Sequence, residues 1–249
     1  MSAARIDFAH QPAGARDLVL VAHGGQDSSL EDPHDRRVAL LRMWPFVAAA
    51  KQAAPQAAIG LVRYRYRGWN GSNAHAMADV CQLLDSLGPG TERVVLVGHS
   101  MGGRAVLHAA EHPLVSGVLA LAPWLPRDEP LADLHGRLVV FAHGDQDRMT
   151  DPRLSVAYAR RLRAADVPVS VLTVEGDAHS MLARHQDWDE LVRRFVAAAL
   201  DGDPVDAFLA GTASTETARR PDPLPRWTRG GGKLRGVLSI LRSRAMLAW

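Results

Sequence analysis

The feature that most constrains the fold is a buried apolar segment that runs directly into a serine flanked by glycines. Residues 94–97 are all apolar (VVLV), a pattern typical of a strand buried on both faces of a parallel sheet. Gly98 to Gly102 then read G-x-S-x-G around Ser100, and an alanine-rich helical pattern follows over residues 104–111. This order predicts a tight strand-to-helix turn that lifts the Ser100 hydroxyl out of the sheet.

The glycines and the following helix both suit a reactive serine at such a turn. Glycines two residues before and two residues after Ser100 let the flanking backbone segments approach without clashing β-carbons. The amide of Met101 is left at a helix N-terminus, where an unpaired donor and the helix dipole can receive an oxyanion. A chance glycine-rich loop is the alternative interpretation, and the strand before the motif and the helix after it argue against that.

Strand and helix patterns alternate along the rest of the chain. Strand patterns occur over residues 3–10, 18–22, 58–66, 117–122, 137–142 and 169–174, and helical patterns over residues 36–54, 75–87, 152–165 and 188–200. This alternation predicts an α/β fold, with a doubly wound, mostly parallel sheet flanked by helices. Ligands bind beyond the carboxyl ends of the strands in such a sheet, so the polar loops at that rim are candidates for the functional site.

The loops at this rim carry further residue patterns in a fixed order. An H-G-G tripeptide (residues 23–25) follows the strand over 18–22, a G-x-x-D spacing ending at Asp147 follows the strand over 137–142, and His179 follows the last strand. Together with the serine turn, these loops resemble those of the α/β-hydrolase family, over roughly residues 15–200. The resemblance implies the fold of that family and the chain order serine, acid, histidine.

By this resemblance Ser100 is the candidate nucleophile, Asp147 the candidate acid and His179 the candidate base. A serine hydroxyl needs a base because it is barely ionised at neutral pH, and the base needs a carboxylate that fixes its tautomer. Asp145 competes for the acid position, and the G-x-x-D spacing favours Asp147. Asp177 also lies close to His179, and we interpret it as a turn or capping aspartate.

An oxyanion hole and a substrate surface are expected on the same rim. Met101 supplies one backbone donor, and the H-G-G loop supplies the second, with Gly25 as the first candidate and Gln26 as the alternative. Gln26 is also a candidate substrate contact, together with Trp69 and Trp124. Packing in the core or at the rim is the alternative interpretation of both tryptophans.

Other histidines do not indicate a metal site. The chain has 11 histidines, and His99, beside the serine, is predicted to pack beneath the turn. His23 and His143 lie near aspartates, but the ligand spacing of a known metal site is missing. We therefore predict no metal and no cofactor.

Cysteine content and hydropathy indicate the cellular setting. Cys81 is the only cysteine, so an intrachain disulfide is impossible and a buried structural thiol is expected. No apolar run approaches the ~18 residues of a membrane span, and the N-terminus lacks the apolar stretch of a secretory signal. These features predict a cytoplasmic protein.

Composition and charge divide the chain into three regions. Residues 1–200 form the predicted hydrolase domain, residues 201–232 a linker rich in proline and glycine, and residues 233–249 a basic amphipathic tail. Residues 219–249 hold eight arginines and lysines against one acid, a balance of +7, so residues 1–218 carry −5 of the total of +2. Such a tail can bind an anionic membrane surface or a partner protein, and a disordered tail is the alternative. No nucleic-acid-binding signature accompanies it.

A serine nucleophile implies acyl transfer, and the loop lengths imply an open site. The connection between the strands over 117–122 and 137–142 is too short for a large cap domain. In this the chain resembles small carboxylesterases and dienelactone hydrolases, which implies cleavage of a small-molecule carboxylic ester through an acyl-enzyme. A thioester or a carbon–carbon bond is the alternative substrate of the same fold. A non-catalytic binding protein, recruited to a membrane or partner by its tail, is the alternative of another class.

Overall fold

The computed structural model describes residues 3–32, 38–212 and 226–227, so the basic tail predicted over 233–249 lies outside the described residues. The described strands are β1 Arg5–His10, β2 Asp17–Ala22, β3 Ala58–Arg63, β4 Arg93–His99, β5 Val115–Leu121, β6 Leu138–Gly144, β7 Val169–Val174 and β8 Arg226–Trp227. They form one sheet in the order β1-β3-β2-β4-β5-β6-β7-β8. The β1 strand pairs antiparallel with β3 at one edge, and the other neighbouring strands pair in parallel.

Helices cover both faces of this sheet. They are α1 Val38–Leu41, α2 Trp44–Ala53, α3 His75–Asp85, α4 Met101–Ala109, α5 Pro152–Ala164, α6 His185–Asp201 and α7 Val205–Thr212, with a 3₁₀ turn at Gly71–Asn73. One apolar cluster joins the sheet to α3, α4 and α5, and a second joins it to α2, α6 and α7. Successive residues of β4 alternate between them, since Leu96 packs in the first cluster and Val97 in the second. The predicted α/β class and doubly wound sheet are therefore confirmed.

The parallel strands end at a common rim because neighbouring strands pair with little stagger. Gly98 of β4 pairs with Ala22 of β2, and Leu121 of β5 pairs with Ala142 of β6. The loops after β2, β4, β6 and β7 consequently open on the same side of the sheet, where ligands bind in folds of this class.

The first predicted helix is interrupted in the structure. The pattern over residues 36–54 predicts one helix, whereas α1 ends at Leu41 and α2 begins at Trp44. Pro45 lies in the first turn of α2, where its missing N–H and fixed φ are tolerated, but a helix continuing from upstream would lose a hydrogen bond there.

The region predicted as a linker contains a packed helix. The α7 helix lies within residues 201–232, and its Val205 and Phe208 side chains are buried in the cluster that includes α6. Gly202 ends α6 with a left-handed φ of 77°, which lets the chain turn back onto the sheet. The packed body therefore extends beyond residue 200.

The connection from β5 to β6 holds no helix among the described residues 122–137, so no large cap covers the rim. Buried side chains hold this connection down. The Glu129 carboxylate pairs with Arg104 Nη2 of α4 at 2.7 Å, and the Tyr158 hydroxyl of α5 donates to the Pro130 carbonyl at 3.0 Å. Within the described residues, this connection therefore places no helical cap over the rim.

In the part of the chain that the structure describes, no helix has both the length and the apolar character needed to cross a membrane. The longest of these helices, α6, has 17 residues and carries Glu190 and Arg193 as an ion pair.

The packing of α7 predicts how much that helix stabilises the domain. The Phe208 ring is 3% exposed and meets the Phe195 ring edge-on, with the centroids 6.2 Å apart. We expect Phe208→Ala to lower the free energy of unfolding by about 3 kcal/mol, because a buried aromatic ring leaves a cavity. Urea unfolding measures this change, with Ala207→Ser, at an exposed position of the same helix, as the control. Equal stability of the two variants would contradict a structural role for α7.

Candidate active site

Ser100 occupies the turn between β4 and α4 in a backbone conformation that side chains rarely adopt. Its φ is 57° and its ψ is −120°, and such a conformation costs about 1–3 kcal/mol. The Ser100 amide donates to the Leu121 carbonyl at 3.0 Å, and the Trp124 amide donates to the Ser100 carbonyl at 3.1 Å. The end of β5 therefore holds the strained turn from both sides of the serine.

Close backbone contacts explain the glycines on either side of the serine. A β-carbon on Gly98 would overlap the Gly102 carbonyl oxygen and lie 2.6 Å from the Val106 side chain. A β-carbon on Gly102 would lie 2.6 Å from the carbonyl oxygens of Ala22 and His23. Gly98 therefore lets the end of β4 pack against α4, and Gly102 lets the loop after β2 approach the start of that helix.

Two amides close to the serine have no backbone acceptor among the described residues. Met101 opens α4, so its N–H has no helical partner, and the Gly25 N–H is likewise unbonded. The loop carrying Gly25 rests on this turn, since a β-carbon there would lie 2.6 Å from Met101 Sδ. The Gln26 amide is already engaged, because it donates to the Arg67 carbonyl at 2.9 Å. Of the two candidates in this loop, only Gly25 keeps a free donor, while the Gln26 side chain is exposed at the rim.

A hydrogen-bonded carboxylate and imidazole lie on the same rim. Asp147, in the loop after β6, accepts at Oδ2 a hydrogen bond of 2.8 Å from His179 Nδ1, in the loop after β7. The Thr150 hydroxyl donates to the same Oδ2 at 2.8 Å. Because Asp147 binds the protonated Nδ1, the Nε2 of His179 is left with the lone pair that a base requires.

Five hydrogen bonds converge on the Asp147 carboxylate. Besides the two side chains just described, His143 Nε2 donates to Oδ2 at 3.1 Å, and the amides of Met149 and Thr150 donate to Oδ1 at 2.8 and 3.0 Å. Burial by itself would raise the pKa of Asp147, but the hydrogen bonds from His143, His179 and the two amides outweigh it. They hold the pKa well below its usual range, so the carboxylate stays ionised where imidazoles titrate.

His99, the residue before the serine, packs against His179. The His99 Nε2 donates to the His179 carbonyl at 3.1 Å, and the two ring centroids are 4.6 Å apart. Burial, followed by the nearby His179 and Arg42, lowers the pKa of His99 well below its usual value, which keeps this ring neutral. Among the described side chains no hydrogen bond joins the Ser100 hydroxyl to His179. Such bonds are often long in sites without substrate.

The two aspartates that compete with Asp147 have other partners. Asp145 is exposed, and its Oδ1 accepts the Gly176 amide at 2.8 Å. Asp177 is buried and accepts from Trp188 Nε1 at 2.8 Å and from the Arg184 amide at 2.9 Å. Asp177 therefore organises the start of α6, as expected for a capping aspartate.

Trp69, Trp124 and Arg104 form one stack beside the serine turn. The Arg104 Cζ lies 3.8 Å from the Trp69 ring centroid and 5.0 Å from that of Trp124. Trp69 is 4% exposed beneath this guanidinium, which favours packing, the alternative interpretation of this residue, over substrate contact. Trp124 is half-buried and keeps an exposed part.

His23, the first residue of the H-G-G loop, supports that loop from below. Its Nδ1 lies 2.7 Å from the Gly24 carbonyl oxygen, and its ring meets the Tyr64 ring edge-on at 4.7 Å. Burial lowers the pKa of His23 to about 4, so the ring is neutral at physiological pH.

Sequence reasoning missed Thr150 and Glu129. The position of Thr150, three residues after Asp147, was an available signal, since an aspartate often accepts hydrogen bonds from the residues that follow it in a turn. Glu129 had no local signal, because its partner Arg104 comes from a helix 25 residues earlier.

A cavity of about 360 Å³ lies away from this site, lined in part by Gln11, Asp17 and Thr91. These residues are at the amino ends of β2 and β4, whereas the serine, carboxylate and imidazole are at the carboxyl ends. The cavity is therefore separate from the candidate active site.

Solved structures with this fold include several hydrolases. MGS-M1, an alpha/beta hydrolase enzyme from a Medee basin deep-sea metagenome library, aligns with a TM-score of 0.58 at 15% identity, covering 81% of this chain and 100% of that one. Paleococcus ferrophilus monoacylglycerol lipase aligns with a TM-score of 0.57 at 15% identity, covering 80% of this chain and 100% of that one. Est1E from Butyrivibrio proteoclasticus aligns with a TM-score of 0.55 at 16% identity, covering 80% and 94%. At these identities the likeness shows the fold.

Comparison of the sequence with known proteins gives one result for curated proteins and another for family models. A search among curated proteins finds no match. The family model described as the alpha/beta hydrolase family matches residues 18–238. This range includes most of the sheet, the serine turn and the loops of Asp147 and His179. The chain therefore belongs to the α/β-hydrolase family.

Proposed function

We propose that the protein is a serine hydrolase that cleaves a carboxylic ester of a small molecule through an acyl-enzyme. The observation that carries this proposal is the hydrogen bond from His179 to the ionised Asp147, on the rim where Ser100 occupies its strained turn. The hydroxyl, the imidazole and the carboxylate come from three separate loops. Their meeting on one rim is what acyl transfer by a serine requires.

The proposed reaction has two halves. Ser100 Oγ attacks the ester carbonyl carbon while His179 Nε2 takes the hydroxyl proton, and the imidazolium then gives that proton to the departing alcohol. Water next attacks the acyl carbon with His179 again as the base, and Ser100 recovers its proton as the acid leaves. Asp147 remains ionised throughout and stabilises the imidazolium, in keeping with its low pKa.

We assign the oxyanion hole to the amides of Met101 and Gly25. Both lack backbone acceptors among the described residues, and the Met101 amide stands at the positive end of the α4 dipole. Donors fixed in advance stabilise the charge that develops on the carbonyl oxygen without reorganising during the step.

The open rim favours small, accessible esters. The short, pinned connection from β5 to β6 leaves the serine without a large cap, and Trp124 is the tryptophan beside the turn that keeps an exposed part. One structural neighbour is, by its description, a monoacylglycerol lipase, which supports an ester over other acyl compounds. Thioesters would follow the same two halves with a thiol as leaving group.

Hydrolysis assays with p-nitrophenyl esters and acyl-CoA thioesters of several chain lengths test this proposal. We expect the wild type to hydrolyse at least one ester and Ser100→Ala to lose at least about 10³-fold in kcat, because the acyl-enzyme can no longer form. Circular dichroism verifies that the variant is folded. A folded wild type with no activity on either panel, or a Ser100→Ala variant with full activity, would contradict a serine acyl-transfer function.

A pair of glycine variants tests the assigned oxyanion hole. A β-carbon on Gly25 would overlap the Arg67 carbonyl oxygen and press on Met101, whereas one on Gly88 would meet open space. We expect Gly25→Ala to reduce kcat by about 10²–10³-fold, the usual cost of losing one oxyanion donor, with KM changed far less. The matched Gly88→Ala variant should retain wild-type kcat. Equal kcat values in the two variants would contradict the assignment of the Gly25 amide to the oxyanion hole.

A further inference from the structure

A second histidine contacts the Asp147 carboxylate from the buried side. His143, near the end of β6, is 2% exposed. Its Nε2 lies 3.1 Å from Asp147 Oδ2 and 3.1 Å from Thr150 Oγ1, and its Nδ1 lies 3.0 Å from Ser155 Oγ of α5. The two halves of the proposed reaction make no use of this residue.

The partners of His143 determine which nitrogen carries its proton. The ionised Asp147 can only accept, so the Nε2 that faces it must donate. The Ser155 hydroxyl can donate to the remaining lone pair on Nδ1. A continuous chain of hydrogen bonds therefore runs from Ser155 through His143 and Asp147 to His179.

His143 and His179 donate to the same carboxylate oxygen. Asp147 Oδ2 accepts from His179 and from Thr150 at 2.8 Å each, and from His143 at 3.1 Å. Each donor satisfies part of the charge on that oxygen, which leaves less of it to stabilise a proton on the His179 ring. The same three donors also fix the orientation of the carboxylate.

We infer that His143 is a positioning residue for the proposed acyl transfer. It holds the Asp147 carboxylate in place and limits how strongly that carboxylate binds the His179 imidazolium. The inference rests on the proposed function, because it takes His179 as the base. His143 touches no reacting atom, so its effect passes entirely through Asp147.

Other charged and titratable groups act on this network from the adjoining elements. Asp151, at the start of α5, interacts electrostatically with His143. His99 of the serine turn packs on His179, and Arg42, between α1 and α2, interacts electrostatically with His99. A substitution at His143 leaves these three side chains unchanged, so a shift in the titration of His179 reports the lost donor.

The pH dependence of kcat/KM tests the inference in a His143→Phe variant. Phenylalanine keeps a planar ring in the buried position and removes the donor. The acid-side midpoint, which reports protonation of the base, should rise by about 0.5–1 pH unit, the size expected for one lost hydrogen bond. The sign follows because a less satisfied Asp147 stabilises the imidazolium more, so a higher pH is needed to deprotonate His179.

Two further variants separate positioning from packing. In His143→Gln the side-chain amide nitrogen can reach the place of Nε2, so this matched control should keep the wild-type midpoint. Thr150→Val removes a different donor from the same oxygen with little change in shape. The Thr150 Oγ1 also lies 3.1 Å from His179 Nδ1, but that N–H is directed to Asp147 Oδ2 at 2.8 Å, so the loss of the donor dominates and the midpoint should rise as in His143→Phe. Thermal unfolding verifies that each variant is folded. A merely structural role would lower the plateau of kcat/KM in these variants and leave the midpoint unchanged.

Histidine NMR gives a readout that needs no substrate. The titration of the His179 ring, assigned by its loss in His179→Gln, should move upward in His143→Phe and Thr150→Val and stay in place in His143→Gln. An unchanged or lower midpoint in either folded variant that lacks a donor would overturn the inference. Absence of hydrolysis by the wild type would instead overturn the proposed function, and the NMR titration would still decide the part played by His143.

Discussion

The strained turn at Ser100 is the constraint on which the rest of the site depends. A serine with a φ of 57° persists only where its surroundings fix it, and here they include the end of β5 and the glycine-lined contact with the loop after β2. Two neighbouring positions share this strain, since Ala122 after β5 has a φ of 42° and Met181 after β7 has a φ of 56°. These three strained positions lie at one rim, while the two apolar clusters that cover the sheet supply the stability that sustains them.

The charge states of the side chains around His179 are set by hydrogen bonding and burial. Asp147 is buried, yet it stays ionised because five donors surround its two oxygens. Burial keeps the His99 ring neutral, so His179 does not face a second imidazolium at the 4.6 Å that separates the two ring centroids. The ionised Asp147 is thus positioned to stabilise the imidazolium that forms when His179 takes a proton.

The fold could be predicted from the sequence wherever local patterns decide it. The apolar residues of β7 gave its bounds, 169–174, without correction, and the order of serine, aspartate and histidine loops gave the pairing of Asp147 with His179. The α7 helix was missed because, among its side chains of described burial, Val205 and Phe208 are buried in the core and Leu209 is partly buried against it, too few to establish a periodic pattern. Likewise, the burial of Trp69 depends on the stacked Arg104 and its partner Glu129, which are distant in the chain. Such contacts exist only in the folded protein.

The most direct test of this account is to ask whether Ser100 is an activated nucleophile. A fluorophosphonate probe reacts with such a serine irrespective of the preferred substrate, and intact mass followed by peptide mapping locates the adduct. We expect a single adduct on Ser100, formed quickly near neutral pH and more slowly in acid, where an imidazole base is protonated. A folded protein that forms no adduct, or that carries it on another residue, would contradict the proposed role of Ser100.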